Sequence, residues 1–208
     1  EANKALANDA DNEIDGYNKA KEIYNNYRER QKKDRAEIDA LIADLPALKT
    51  AADKAKAELD AAEKTYNNIQ SQLNQKEKDL AENKKALEVF KEEEANWSPE
   101  TSFEPIETIQ GYVKEFTKKC NDLQKEIASL KAQLAQAEGV KAEAKAKYDA
   151  AASEYSAQQT TIDSREETYK SNEEILDSYA DDIARLEQGE KDLDIFKKVL
   201  DGAHDRGL

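Results

Sequence analysis

Apolar residues recur at every seventh position between residues 38 and 90. The first series consists of Ile38, Leu45, Ala52, Leu59, Tyr66, Leu73, Leu80 and Leu87. A second series follows three positions later, with Lys76 and Asn83 interrupting Leu41, Leu48, Ala55, Ala62, Ile69 and Phe90. The two series have the spacing of the a and d positions of a coiled coil. The pattern therefore predicts a long amphipathic helix that buries one stripe.

The same phase extends toward both ends of the chain. It runs back through Tyr17, Ala20, Tyr24, Tyr27, Gln31 and Asp34, which predicts a first helix over residues 1–95 with a polar N-terminal part. Heptads resume at Ile106 and continue to Leu200, which predicts a second helix over residues 106–200. Residues 201–208 contain two glycines, and we expect them to form a flexible tail.

Residues 96–105 separate the two helical patterns. They contain two of the three prolines and the only tryptophan, and their hydroxyls and acids suit the start of a new helix. So short a turn permits only antiparallel packing of its helices. The sequence thus predicts an all-α fold, an elongated antiparallel coiled-coil hairpin. We expect Trp97 and Phe103 to cover the end of its core.

Pro46 lies inside the first predicted helix. It removes one backbone donor and its ring crowds the carbonyl of Ile42. Because the heptad phase continues unchanged across it, we expect a kink without a break. A hinge at this point is the alternative interpretation.

The two helices resemble copies of each other. A shift of 89 residues aligns their cores without a gap, and Tyr66 then matches Tyr155 while Leu87 matches Leu176. Several surface positions match as well, such as Asp60 with Asp149. Shared heptads alone do not align surface positions, so we interpret the chain as an internal duplication.

The heptads also predict which side chains form the core and where the Ala-rich segments meet. We expect Ala52–Ala62 to lie opposite Ala137–Ala151 in the hairpin. The main core positions are Ile38, Leu45, Leu59, Tyr66, Leu73, Leu87, Phe90, Trp97, Ile127, Leu134, Tyr148, Tyr155, Ile162 and Leu176.

Polar residues interrupt the predicted seam at five places. They are Asp34, Lys76, Asn83, Arg165 and Asn172. Such residues can specify register and partner at a cost in stability. Alternatively, their side chains reach from a loosely specified core to solvent. The fold-back places Arg165 near Asp34, so an ion pair between these two is one expectation.

Composition narrows the classes of partner. The net charge is −14 and the pI is about 4.7, which disfavours binding to nucleic acid or to an anionic membrane. No segment is apolar enough to span a bilayer. The acidic surface is interpreted as the solvated exterior of a coiled coil, open to cations and basic partners. The absence of methionine, including at position 1, predicts a processed product or an excised segment.

Candidate chemistry is sparse. The only histidine is His204, and the only cysteine, Cys120, falls on a core position, where an inert thiol is expected and an intermolecular bridge is the alternative. No metal-ligand spacing, phosphate loop or nucleophile motif is present, so we expect no enzyme, no catalytic residue and no cofactor. Five acids could bind Ca²⁺ weakly and diffusely, or simply form solvated faces: Glu92, Glu93, Glu94, Asp181 and Asp182.

The nine tyrosines are unusual for a plain coiled coil. Several, including Tyr24, Tyr27 and Tyr179, fall on core positions, where the hydroxyl must reach the rim. Such bulky residues widen the seam. They favour a four-helix assembly or a lateral lattice over an isolated hairpin.

The acidic, duplicated heptads without methionine, the Asn/Gln/Lys/Tyr-rich composition and the segment Cys120-Asn121-Asp122-Leu123 resemble the trichocyst matrix and granule lattice proteins of ciliates. The resemblance implies a secreted, processed building block of a secretory-granule lattice that responds to calcium. Residues 144–151 are also similar to coiled-coil surface proteins of streptococci. That similarity implies a rod at the bacterial cell surface that binds a host protein.

From these patterns we expect a non-enzymatic, acidic structural protein that self-assembles, or binds related coiled-coil chains, in an ordered lattice or filament of a secretory granule. The alternative is a bacterial surface adhesin.

Overall fold

The chain forms two long helices. In the computed structural model, which describes the backbone of residues 2–204 and the side chains of residues 4–202, α1 is Ala2–Ala95 and α2 is Ile106–His204. The helices pack against each other, and the described residues contain no strand. The predicted all-α helical hairpin is confirmed.

The connecting segment, residues 96–105, is held by its own hydrogen bonds. Ser98 is its centre: its carbonyl accepts from the amides of Thr101 at 3.3 Å and Ser102 at 3.0 Å, and its amide donates to the Ser102 hydroxyl at 3.1 Å. The Trp97 indole donates to the Glu104 carbonyl at 2.9 Å. The segment therefore has a defined turn conformation between the two helices.

The helix bounds differ from the sequence prediction at the C-terminal end. Helix α2 continues to His204, so the flexible tail expected from residue 201 does not begin there. Gly202 lies within the helix, where one glycine costs only about 1 kcal/mol relative to alanine. Residues 205–208 lie outside the described part of the chain. Helix α1 passes through Pro46 without a break.

The chain divides into two units near Pro46. Unit 1 comprises the described residues up to Ala47 and from Tyr155 onward. Its buried apolar side chains are Ala10, Ile38, Ile162 and Leu176. It also contains the one buried polar side chain among the described residues, Gln31.

Unit 2 is Leu48–Glu154 and includes the connecting segment. Small residues dominate its buried seam, because alanines from both helices lie there. The buried side chains are Ala52, Ala62, Leu73, Ile109, Cys120, Ile127, Ala137 and Ala144. Ala61 and Ala62 border the same cavity as Ala137 and Ala144, so the two Ala-rich segments lie opposite each other.

None of the fourteen main core positions named from the sequence is exposed. Five are buried, namely Ile38, Leu73, Ile127, Ile162 and Leu176, and the other nine are half-buried. Two helices alone cannot enclose larger side chains fully, which accounts for the half-buried majority.

Phe103 departs from its expected role. Its side chain is 107% exposed relative to its reference, whereas Trp97 is half-buried. The Trp97 indole bonds within the connecting segment, and the turn directs Phe103 outward. Phe103 therefore does not cover the core.

Candidate helix-docking groove

Unit 1 carries an uncovered apolar groove between α1 and α2. We call it the open groove; its volume is about 640 Å³. From α1 it is bordered by Ala20, Ile23, Tyr24, Tyr27, Arg30 and Gln31, and from α2 by Asn172, Ile175, Leu176, Tyr179, Asp182, Ile183 and Leu186. A second cavity adjoins it on the α1 side, bordered by Ile23, Asn26, Tyr27, Glu29, Arg30 and Lys33.

Four large side chains make the groove apolar at the surface. Ile23 is 57% exposed, Tyr27 54%, Ile175 52% and Tyr179 54%. They come in one pair from each helix and border one continuous cavity. Isolated exposed apolar residues are normal, but a contiguous set of this kind marks an interaction surface.

Tyr27 and Tyr179 were expected to lie in the seam, because they fall on heptad core positions, but both are exposed. Both occupy d positions, and each has an isoleucine four residues earlier, Ile23 and Ile175, on the adjacent flank of its helix. The apolar stripe of unit 1 is therefore wider than two helices can bury. The excess width forms the open groove.

Gln31 forms part of the groove floor. Its side-chain amide is 4% exposed and donates to the backbone carbonyl of Tyr169 at 3.0 Å and to Glu173 at 3.5 Å. A second glutamine, Gln158, donates to the carbonyl of Leu41 at 2.9 Å. These bonds join the two helices of unit 1 and fix their register. A buried amide with partners is stable, whereas one without them costs about 1–3 kcal/mol.

Arg28, which does not border the open groove, forms ion pairs with two acids of α2. Arg28 binds Glu173 at 3.1 Å and Asp177 at 2.6 Å, and it donates to the Tyr24 hydroxyl at 3.0 Å. The hydrogen bond to Asp177 is the largest cause of the raised pKa of Arg28, followed by the bond to Tyr24. Arg28 therefore keeps its charge and draws both carboxylates toward it.

The charges that border the open groove, Arg30 and Asp182, and those that border the adjoining cavity, Glu29 and Lys33, are unevenly paired. Glu29 pairs with Lys32 at 2.6 Å, and this hydrogen bond lowers the pKa of Glu29. Asp182 pairs with Arg185 at 3.5 Å. The ion pairs of the described residues include neither Arg30 nor Lys33. The two charges without an ion pair, one at the groove and one at the adjoining cavity, are thus both positive.

The internal repeat places an equivalent of this region in unit 2. A shift of 89 residues carries Ile23 to Tyr112, Tyr27 to Phe116, and Tyr179 back to Phe90. These three rings pack together, with centroids 4.8 Å apart for Phe90–Tyr112 and 5.4 Å apart for Phe90–Phe116. All three are half-buried, and we call them the closed cluster.

The connecting segment lies against the closed cluster. A cavity of about 480 Å³ is bordered by Phe90 and Tyr112 together with Thr101, Ser102, Phe103 and Glu104 of the segment. The equivalent positions in unit 1, the open groove, have no such neighbour among the described residues.

The five polar seam residues have different surroundings. Lys76 binds Glu126 at 2.7 Å across the seam, and this hydrogen bond is the largest cause of its raised pKa. Asn83 donates to the carbonyl of Asp79 in its own helix at 2.8 Å. Asn172 is exposed and borders the open groove, whereas Asp34 is half-buried.

Arg165 does not form the expected pair with Asp34. Its guanidinium instead binds Glu37 at 2.5 Å. Glu37 flanks the core position Ile38, so the arginine reaches past the seam to a carboxylate nearer the solvent. The expected Asp34–Arg165 pair is therefore wrong.

The acids proposed for diffuse calcium binding do not come together as a ligand set. Among the residues that the structure describes, no group of three or more His, Cys, Asp or Glu side chains is placed to hold a metal ion. Glu92, Glu93 and Glu94 lie at the end of α1, whereas Asp181 and Asp182 lie in α2, where Asp182 borders the open groove. Weak calcium binding by these residues stays a prediction.

Comparison of the chain with models of protein families, with curated proteins and with solved structures finds no match. The resemblances to ciliate matrix proteins and to streptococcal surface proteins therefore stay predictions. Neither of the two helices, as far as the structure describes them, contains a segment that is long and apolar enough to cross a membrane.

Sequence reasoning missed the open groove as a site, although its signal is present. The signal is an apolar residue on the flank of a core tyrosine in both helices, Ile23 with Tyr27 and Ile175 with Tyr179. The heptad analysis followed only the a and d positions. It therefore identified the seam and not the wider stripe.

Proposed function

We propose that this chain is a non-enzymatic structural protein that associates with further copies of itself through the open groove. The observation that carries the proposal is the contiguous exposure of Ile23, Tyr27, Ile175 and Tyr179. An extra helix or turn that packs there would complete the broad apolar stripe, as helices do in bundles of more than two.

The size of the apolar surface supports an apolar partner. Full burial of one such side chain contributes about 1.5–3 kcal/mol, so covering the exposed half of each contributes about 1 kcal/mol. Four contributions give about 4 kcal/mol, which only reaches the lower limit of the cost of association. The partner must therefore bring apolar side chains of its own, and a second copy of this chain has them.

Self-association of this kind is what a granule lattice or filament requires. The secretory-granule location and the response to calcium remain part of the proposal, through the resemblance to ciliate matrix proteins. Calcium would act on the acidic surface, whose charge of −14 opposes close approach of copies. The expected result is that Ca²⁺ strengthens self-association more than the same ionic strength of Na⁺.

The test is the mass of the chain in solution as a function of its concentration, by analytical ultracentrifugation. We expect larger species to grow with concentration for the native chain and to be lost in Ile23→Glu, which places a charge in the groove. The matched control is Val140→Glu, because Val140 is 52% exposed and borders a cavity of unit 2 that is separate from the open groove. A native chain that stays monomeric throughout contradicts the proposal. It would favour the alternative of an adhesin whose groove binds a foreign protein.

A further inference from the structure

We propose that the occupant of the open groove is the connecting segment, residues 96–105, of a second copy of this chain, with Phe103 as its apolar anchor. The inference rests on the proposed self-association and specifies its geometry. It assigns two different surfaces to one contact: the segment on one copy and the groove on the other.

The internal repeat gives the first reason. The open groove and the closed cluster occupy equivalent positions in the duplicated sequence, since Ile23, Tyr27 and Tyr179 correspond to Tyr112, Phe116 and Phe90. The connecting segment lies against the closed cluster within its own chain. A surface with the same ancestry and a similar apolar character can therefore receive the same segment from another copy.

Phe103 gives the second reason. Its ring is fully exposed, while the turn around it is held by Ser98, Ser102 and the Trp97 indole. A large apolar side chain on a preorganised turn loses little conformational freedom when it docks. Aromatic side chains of this kind are the usual anchors of protein interfaces. The structure thus presents an exposed aromatic side chain on the connecting segment of unit 2 and an uncovered apolar groove in unit 1.

Charge gives the third reason. Residues 92–113 contain six acids and no base: Glu92, Glu93, Glu94, Glu100, Glu104 and Glu107. The ion pairs of the described residues include none of these six. Arg30, which borders the open groove, and Lys33, which borders the cavity that adjoins it, are both positive, and the ion pairs of the described residues include neither. Glu100 and Glu104, on either side of Phe103, therefore have complementary charges to meet when the ring enters the groove.

A contact between two different surfaces has a defined consequence for assembly. Each copy keeps one free segment and one free groove after it binds a neighbour, so that addition continues until a ring closes or a filament forms. A symmetric contact between two grooves would instead stop at a dimer.

The test is a complementation experiment with two variants that each remove one surface. Phe103→Ser keeps the groove and loses the anchor, whereas Ile23→Glu keeps the anchor and loses the groove. We expect each variant alone to self-associate more than tenfold more weakly than the native chain. An equimolar mixture of the two is expected to form a heterodimer and no larger species, because one intact segment meets one intact groove.

Two results would overturn the inference. If Phe103→Ser self-associates like the native chain while Ile23→Glu does not, the groove binds a groove, and only the geometry proposed here is wrong. If the two variants fail to complement each other in the mixture, the segment is not the occupant. A monomeric native chain would contradict the proposed function itself, so the two failures are distinguishable. Circular dichroism of each variant checks that the helices are retained.

A charge exchange provides an independent measurement. Arg30→Glu with Lys33→Glu is expected to weaken self-association, and more so at low salt than at high salt. Mixing this variant with a chain that carries Glu100→Lys and Glu104→Lys is expected to restore species larger than a heterodimer, because every contact between the two chains, segment to groove in either direction, then joins opposite charges. The matched control reverses Lys78 and Lys84 of unit 2, which lie away from both surfaces in sequence, and is expected to leave self-association unchanged. Lack of recovery in the exchanged pair would contradict the assignment of these charges.

Discussion

The open groove and the closed cluster hold sequence positions 89 residues apart and lie in two different environments. In unit 2 three aromatic rings pack against each other and the connecting segment lies beside them. In unit 1 the equivalent residues are an isoleucine and two tyrosines that lie half outside the seam. The comparison teaches that side chains at the same heptad positions are better covered where their rings pack on one another and the connecting segment lies beside them.

The seams of the two units also differ in the kind of contact that joins the helices. Unit 1 joins its helices by bonds from Gln31 and Gln158 to backbone carbonyls of the facing helix. Unit 2 has Cys120 at the position equivalent to Gln31, and its other buried side chains are four alanines, two isoleucines and one leucine. Unit 1 therefore depends more on directional bonds, and unit 2 on close packing and aromatic contact.

The largest expected effect comes from the aromatic ring that defines the closed cluster. Phe90→Ala removes two ring contacts and leaves a cavity, and we expect a loss of about 3 kcal/mol in the free energy of unfolding. Its equivalent in unit 1, Tyr179→Ala, is expected to cost about 1 kcal/mol or less, because that side chain is 54% exposed. Urea unfolding of both variants measures the difference. Equal losses would break the contrast between the two regions.

The buried amide of unit 1 is next in size. Gln31→Ala removes two hydrogen bonds and opens a small void, for which we expect a loss of about 1–3 kcal/mol. Gln133→Ala is the control, because Gln133 is exposed and bonds only to Ser129 of its own helix. Thermal unfolding followed by circular dichroism compares the two. A neutral Gln31→Ala would show that the amide does not join the helices.

Two glycines offer a third comparison. Gly139→Ala in unit 2 meets nothing within 4 Å, so the better helix former is expected to stabilise the chain by about 0.5–1 kcal/mol. Gly189→Ala in unit 1 places its new methyl carbon 3.3 Å from the ring of Tyr17. We expect this contact to cancel or reverse the gain. Melting temperatures of the two variants measure the effect, and an equal rise in both would show that the Tyr17 ring adjusts freely.

The smallest expected effect concerns pH. The hydrogen bond from Lys76 to Glu126 raises the pKa of Lys76. The stabilisation is therefore fully present below the lysine value of the unfolded chain, about 10.4, and is lost as pH rises through the higher folded value. Lys76→Gln is expected to leave stability almost unchanged near neutrality, since exposed pairs contribute little. It should make the alkaline decline in melting temperature shallower, and an unchanged decline would contradict the pairing.

Much of the fold follows from the sequence. The heptad phase and the two prolines of residues 96–105 predict both helices and the turn, and the observed ends at Ala95 and Ile106 agree with the expected limits. The C-terminal end was placed too early, because glycines near a helix end are weak stops when the heptad contacts continue to Leu200.

The open groove was harder to predict, for a physical reason. Heptad position specifies which side of a helix a residue occupies, but not how much of that side a partner helix covers. Tyr27 and Tyr66 both hold seam positions, yet Tyr27 is exposed and Tyr66 is half-buried. The direction of Phe103 depends on hydrogen bonds within the turn, which periodicity does not describe.

The amide of Gln31 has a further consequence for sliding of one helix along the other. A displacement by one heptad would carry Gln31 about 10 Å away from the Tyr169 carbonyl that accepts its hydrogen bond. The amide would then meet the backbone carbonyl that holds the same place one heptad along, but it would lose Glu173, which also accepts a hydrogen bond from it in the native register. Gln31 thus favours one register of the two helices. Exchange of its side-chain protons with deuterium would report each event in which its hydrogen bonds to α2 break.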